Sequence, residues 1–460
     1  MLLEAEVRTG QRNRQGMTAL MHAAQQGHID PVKSLFEKEK GIKDKNGWTA
    51  LMHAAYNNHP EVVEILIPHD HGDRDKNGRT ALMMAAENGN AGIASLLAPH
   101  EEGLKDSRGS TALMIAAKKG SLEIVKALVE HERGLGDDNG CTALVHAARA
   151  GHRDVAEHLM THEKDATGWT MLMLAAALGD AGLVSQHLSE RGQRDRQGQT
   201  ALILAAQNGR DEAVELLMGH ESDVSGWTDL VYSAYLGDGD GVKENIHEKG
   251  RTDITGMSAL MWAAHQGHKG AVEILVKHEK GLKDKAGKTA LMHAVSTFSD
   301  DSDGQAVPTG ASMGTRRGSV VLERYEDRLQ CIELLGEYEA RMRDNSRRTA
   351  LMIAAECGHG GYVKKLLDKE GGMSDSNGRT ALMREASNGH TEMVRLLVEK
   401  EGGMSNSSGW TALMLAAQNG HTDCARLLLE KEKDMRSKWG DTALSIAKGW
   451  NHSSVVSLLS

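Results

Sequence analysis

Aromatic residues make up only 3% of the 460-residue sequence, and proline occurs just five times. Any core must therefore be built from Ala, Leu, Met, Val and Ile, a palette that suits close-packed helices. Four cysteines, Cys141, Cys331, Cys357 and Cys424, lie far apart, and no two stand at a CxxC or other zinc-type spacing. They read as single reduced thiols. No apolar run reaches the roughly 18 residues a membrane-spanning helix needs. The first residues, MLLEAEVRTGQRNRQG, lack the basic start, apolar segment and small-residue cleavage site of a secretory signal. A cytoplasmic protein without membrane insertion is expected. Positive charge is not in excess either: 54 Lys and Arg face 64 Asp and Glu, a formal net charge of -10 spread along the chain. An acidic array of this kind is a poor partner for nucleic acid.

What the chain does have is repetition. TAL or a close variant begins at Thr18, Thr49, Thr80, Thr111, Thr142, Thr170, Thr200, Thr228, Ser258, Thr289, Thr349, Thr380, Thr411 and Thr442, which makes fourteen repeats. Most spacings are 31, a few are 28 or 30, and one of 60 holds a repeat plus a 29-residue insertion. Such a period belongs to stacked-repeat proteins.

The second repeat, DKNGWTALMHAAYNNHPEVVEILIPHD, is typical. Asp44 and Gly47 suit the first and fourth positions of a type I turn. Thr49 is placed to cap a helix beginning Ala50, Leu51, Met52. Ala54 and Ala55 allow neighbouring helices to approach closely. Asn58, like Gly27, Gly89 and Gly120 elsewhere, tolerates the left-handed conformation that ends helices. A second helix then aligns Val62, Val63, Ile65 and Leu66 on one stripe. Both helices are so short that stacking must stabilise them.

This unit resembles the ankyrin repeat, whose pattern carries T-P-L-H-x-A at the first helix and G-H between helices. The resemblance covers essentially the whole chain. It implies an all-α solenoid of about fourteen stacked helix-turn-helix units, acting as a noncatalytic protein-protein interaction scaffold without a cofactor. Here the family's Pro becomes Ala19, Ala50, Ala81 and Ala112, and its His becomes Met21, Met52, Met83 and Met114. The bonds made by that His must therefore be lost or replaced. The TALM and AAxNGH phrasing is similar to ankyrin-only protist proteins of the protein twenty-one-point-one type, and to ankyrin tails of NimA-type kinases. Regulatory module of such a kinase, or structural spacer on the cytoskeleton, are the rival functions; kinase or cytoskeletal proteins would be the corresponding partners.

The resemblance divides the chain into a partial half-repeat at 1–17, repeats 1 to 10 through 18–296, an insertion at 297–325, and the remainder with repeats 11 to 14 at 326–460. RTGQRNRQGMTAL parallels ERGQRDRQGQTAL at Glu190 to Leu202, placing Met1 inside the second helix of an incomplete repeat that is either a truncation or a cap. Lys448 replaces the usual second Ala near the end, as a polar cap would. GWT followed by a Gly-Asp junction recurs at 58 residues, Gly179-Asp180 and Gly237-Asp238, which indicates a duplicated two-repeat block. The insertion is poor in large apolar groups and is expected to be disordered. It carries Arg316-Arg317-Gly318-Ser319-Val320, a basophilic-kinase pattern, so Ser319 is a candidate phosphorylation site.

Other chemical signals have plainer readings. HRD at His152, Arg153 and Asp154 lacks the metal-binding Asn five residues on, where Leu159 stands. The 23 histidines recur at repeat-equivalent places and march along an axis, where a metal needs convergence. GDGDG at 237–241 lacks the Asp spacing and closing Glu of a calcium loop and is expected to loosen repeat eight. What remains is a surface. In the ankyrin family the residue before the capping Thr and the two before Gly-His face the concave side. That places Trp48, Trp169, Trp227 and Trp410, with Tyr56 and Tyr235, as candidate partner anchors, beside Lys118, Lys119 and Glu356. The plainer alternative is that GWT is a duplicated phrase whose Trp packs on the next loop.

Overall fold

The computed structural model describes residues 11–138, 140–296, 316–450 and 452–460. It comprises two compact units that divide between Leu216 and Leu217. Among the described residues every regular element is helical, and the only β-bridges are isolated ones, Thr252 with Ser258 and Ser405 with Thr411.

Each TAL motif opens a short helix. In repeat 2 the helix Ala50–Tyr56 is capped by Thr49, whose extended backbone lets its hydroxyl accept from the Met52 amide at 3.3 Å. The second helix, Pro60–Asp70, follows after a left-handed Asn58 at φ 62°. Repeat 1 uses Gly27 there, at φ 74°. A Cβ at Gly27 would stand 2.5 Å from the His59 ring, so glycine serves both the turn and the approach of the next repeat. Leu51, Ala54 and Ala55 of the first helix are wholly buried; of the stripe expected on the second, Val62, Val63 and Leu66 are buried, while Ile65 is only half-buried and Ile67 joins the core instead.

The connecting turn also forms as expected. Gly47 donates to the Asp44 carbonyl at 3.0 Å. The Asp44 side chain accepts from the Asn46 and Trp48 amides at 2.7 and 2.9 Å. In several repeats a polar side chain nine residues after this Asp reaches back to it: His53 to Asp44 at 3.2 Å, His146 to Asp137 at 3.1 Å, Trp262 to Asp253 at 2.9 Å, His293 to Asp284 at 2.9 Å.

A device absent from the sequence reading joins the repeats. The last Glu of most second helices is buried and bridges two backbone amides. Glu132 accepts from Leu113 in its own repeat at 2.7 Å and from Gly103, at the end of the preceding one, at 3.2 Å. Glu101, Glu163, Glu279, Glu370, Glu401 and Glu432 do the same. Glu339 reaches Gly281 at 2.9 Å and Leu291 at 2.8 Å although the insertion intervenes. The amides satisfied at the start of each first helix would otherwise lack an intrahelical partner. Repeat 2 carries Asp70 instead, one methylene short: its Oδ1 takes the Gly41 amide at 3.3 Å, and its Oδ2 is buried without a partner.

The duplicated block has its own form. In repeats 5 and 7 the second helix runs on for 15 residues, Arg153–Thr167 and Asp211–Ser225, and no Asp-to-Gly hairpin precedes the next capping Thr. In repeats 6 and 8 the second helix is cut to six residues, Ala181–Gln186 and Gly239–Glu244, followed by single 3-10 turns.

One expectation needs correction. The helix holding Cys331 begins at Arg316 and runs to Glu339, so 316–325 is helical and not an unordered continuation of the insertion. Residues 297–315 lie outside the described residues, as do residues 1–10 of the proposed half-repeat.

Candidate functional site

Trp48 is half-buried and lies against Tyr56, 41% exposed, with ring centroids 5.1 Å apart and planes at 51°. Its other neighbour is His53, also at 5.1 Å. The pair is held by two elements. The hairpin fixes Trp48 through its amide bond to Asp44, and the first helix presents Tyr56 as its last residue. Burial pushes the Asp44 carboxyl up, but the bonds from His53 and the two amides outweigh it and hold the group below its ordinary range. Trp410 is placed likewise, half-buried, its amide donating to Asn406 Oδ1 at 2.9 Å.

The structure does not bring the other three aromatics to the surface. Trp169, Trp227 and Tyr235 are 2%, 4% and 1% exposed, so they are core residues and not anchors. The cause is the missing hairpin. Where the second helix continues to Thr167 or Ser225, the next Trp follows within two residues and turns inward, its amide bonded to Thr167 Oγ1 at 3.1 Å or Ser225 Oγ at 3.3 Å. Trp227 then packs 5.5 Å from Tyr235 and 5.1 Å from Trp262. Trp169 bonds through its side chain to Asp195. The matching Asp253 is taken by Trp262, and the Trp227 indole N–H is left buried without an acceptor.

Two exposed tryptophans went unnoticed in the sequence. Trp439, 70% exposed, tips the last hairpin, and Trp450, 59% exposed, follows the last first helix, Ala443–Gly449. Trp450 stands two before His452, the position already marked as surface-facing. The signal was present, since Asn451-His452 matches the Asn58-His59 junction of repeat 2.

Models of the family described as Ankyrin repeats (3 copies) match overlapping windows that together cover 1–302 and 324–460. The chain belongs to the ankyrin-repeat family. It is 34% identical over 142 residues to the mouse protein Ankyrin repeat domain-containing protein 63, which covers 28% of this chain and 30% of that relative's length.

Within this ankyrin array several of the polar groups singled out in the sequence make structural bonds. Four junction histidines bond the first helix of the preceding repeat: His59 to Gln25 O at 2.9 Å, His152 to Lys118 O at 3.0 Å, His421 to Ser387 O at 2.9 Å, His452 to Gln418 O at 2.8 Å. In the HRD string, Arg153 pairs with Glu157 at 3.0 Å and with Asp180, across to repeat 6. Where the family's His is replaced by Met21, the thioether takes over one bond and accepts from the Thr18 amide at 3.4 Å. No three His, Cys, Asp or Glu among the described residues converge as metal ligands. Burial pushes the Cys331 thiol up to about 12, away from nucleophile chemistry. No helix among the described residues is long and apolar enough to cross a membrane. Ser319 falls near the start of the helix Arg316–Glu339, so the extended chain that a kinase cleft accepts is not its conformation here.

Proposed function

We propose that the chain is a noncatalytic scaffold that binds other proteins on the concave faces formed by the first helices and hairpins of its repeats, with Trp48 and Tyr56 in the first unit and Trp410 in the second among the contact residues. The observation that carries this reading is the Trp48–Tyr56 pair. Two large aromatics are kept partly in water, against a rigid helix, in a chain that otherwise uses few aromatics and buries several of them. Residues of this kind dominate binding energy because a rigid ring desolvates a large area at small entropic cost. Trp450 and Trp439 extend the same reading to the last repeat.

The test is Trp48→Ala alone and with Tyr56→Ala in the full chain. Binding to partners recovered by cross-linking should weaken by about 2 kcal/mol or more, with an unchanged urea midpoint. Unchanged binding of every partner by the double variant would remove this face from the reading.

A further inference from the structure

The first-helix face of repeats 2 to 5 is basic in a chain whose net charge is -10. The helices Ala50–Tyr56, Ala81–Glu87, Ala112–Lys119 and Ala143–Ala150 pack side by side in that order within the first unit. Their surface-facing positions therefore form one row. The row holds four cations, Arg79, Lys118, Lys119 and Arg149, and a single carboxylate, Glu87. Arg79 is itself neutralised, by Glu87 at 2.8 Å and by the hairpin carboxylate of Asp75 at 3.0 Å, so Lys118 and Lys119 carry the exposed charge of the row. Lys118 and Lys119 are both exposed, and neither forms an ion pair among the described residues. Arg149 rests on Cys141 Sγ at 3.3 Å, which keeps its guanidinium on this face. Helix C-termini favour cations, which accounts for a lysine in the last turn. It does not account for the lack of any unpaired carboxylate at the equivalent positions of the adjoining repeats. At one end of the row lies the Trp48–Tyr56 pair.

We infer that this row binds an acidic, extended segment of a partner protein, its carboxylates facing Lys118 and Lys119 and an apolar side chain seated on Trp48 and Tyr56. The inference rests on the proposed scaffold function and adds the chemistry of the partner. Charge supplies selection and association rate, and the aromatic pair supplies slow release. Because the lysines are solvated, the charged part of the affinity fades as salt shortens the Debye length from about 10 Å toward about 3 Å.

The experiment is selection of a random peptide library on the immobilised full chain, followed by fluorescence anisotropy of the recovered peptides. The expected peptides are rich in Asp and Glu and carry one bulky apolar residue. Their affinity should fall about tenfold or more with Lys118→Glu plus Lys119→Glu, and also at high salt. Both lysines are exposed, so the variant should keep the wild-type urea midpoint, and Lys118→Gln plus Lys119→Gln should give a smaller loss. Recovered peptides without an acidic excess, or equal affinity for the charge-reversed chain, would overturn the inference. Peptides that need Trp48 but ignore the lysines would overturn the charge assignment and leave the binding face standing; indifference to both would remove both.

Discussion

Glu132→Gln is the sharpest probe of how the repeats are held together. Glu132 is 2% exposed, and its two carboxylate oxygens accept from the Leu113 and Gly103 amides. Burial raises its carboxyl above the ordinary value, against the pull of Leu113, Thr111 and Gly103. A glutamine of the same shape offers one carbonyl oxygen and turns an NH2 toward the other amide, so two donors then face each other. A hydrogen bond to a charged group contributes about 1.5–3 kcal/mol net, and an orphaned buried donor costs about 1–3 kcal/mol. Removing the charge also relieves its desolvation, which offsets part of the loss. The expected destabilisation is about 2 kcal/mol, and about twice that for Glu132→Ala, which orphans both amides and leaves a void. In an array the loss should stay local to repeats 3 and 4. The assay is urea unfolding of the full chain together with amide exchange at 103–113. A Gln variant with the wild-type midpoint, or one in which exchange at Gly103 and Leu113 is no faster, would refute the bridging role.

Asp70→Glu should stabilise repeat 2 by about 1 kcal/mol, since the longer side chain can place its idle oxygen on the Leu51 amide; slower exchange at Leu51 is the check. Arg341, at φ 70°, occupies a position where other repeats use glycine, and Arg341→Gly should raise the urea midpoint by about 1 kcal/mol equivalent. Repeats six and eight should exchange fastest, because Val184 and Val242 are the only buried residues of Ala181–Gln186 and Gly239–Glu244; strong protection across 181–190 or 239–250 would contradict this. Acid should not weaken the fold at first. Burial raises the carboxyls of Glu101, Glu132, Glu339, Glu370, Glu401 and Glu432, so as pH falls toward their unfolded value near about 4.3 the folded state takes up protons first and gains stability. Asp44 and Asp375 are buried and Asp284 half-buried, yet all three are held low by His53, Arg384 and His293 respectively; their stabilisation is lost only as pH drops through those lowered values. Urea midpoints should hold or rise from neutrality to about pH 5 and fall below about pH 4; a steady decline from neutrality would refute the sign.

The sequence by itself determined the repeat, its period, the capping Thr, the hairpin Asp and the left-handed glycine, because each rests on contacts within a few residues. It also located the duplicated block, since GWT and Gly-Asp recur there in the letters themselves. Tertiary structure alone decided which aromatics meet water. Trp48 and Trp227 occupy the same place in the motif. The hairpin before one and the uninterrupted helix before the other send one ring to the surface and the other into the core. The Glu bridges were hidden for a similar reason: a Glu at the end of an amphipathic helix reads as solvated until the amides of Leu113 and Gly103, 19 and 29 residues back, are brought to it. A charge's surroundings are set by the neighbouring repeat, and that is information a local pattern does not carry.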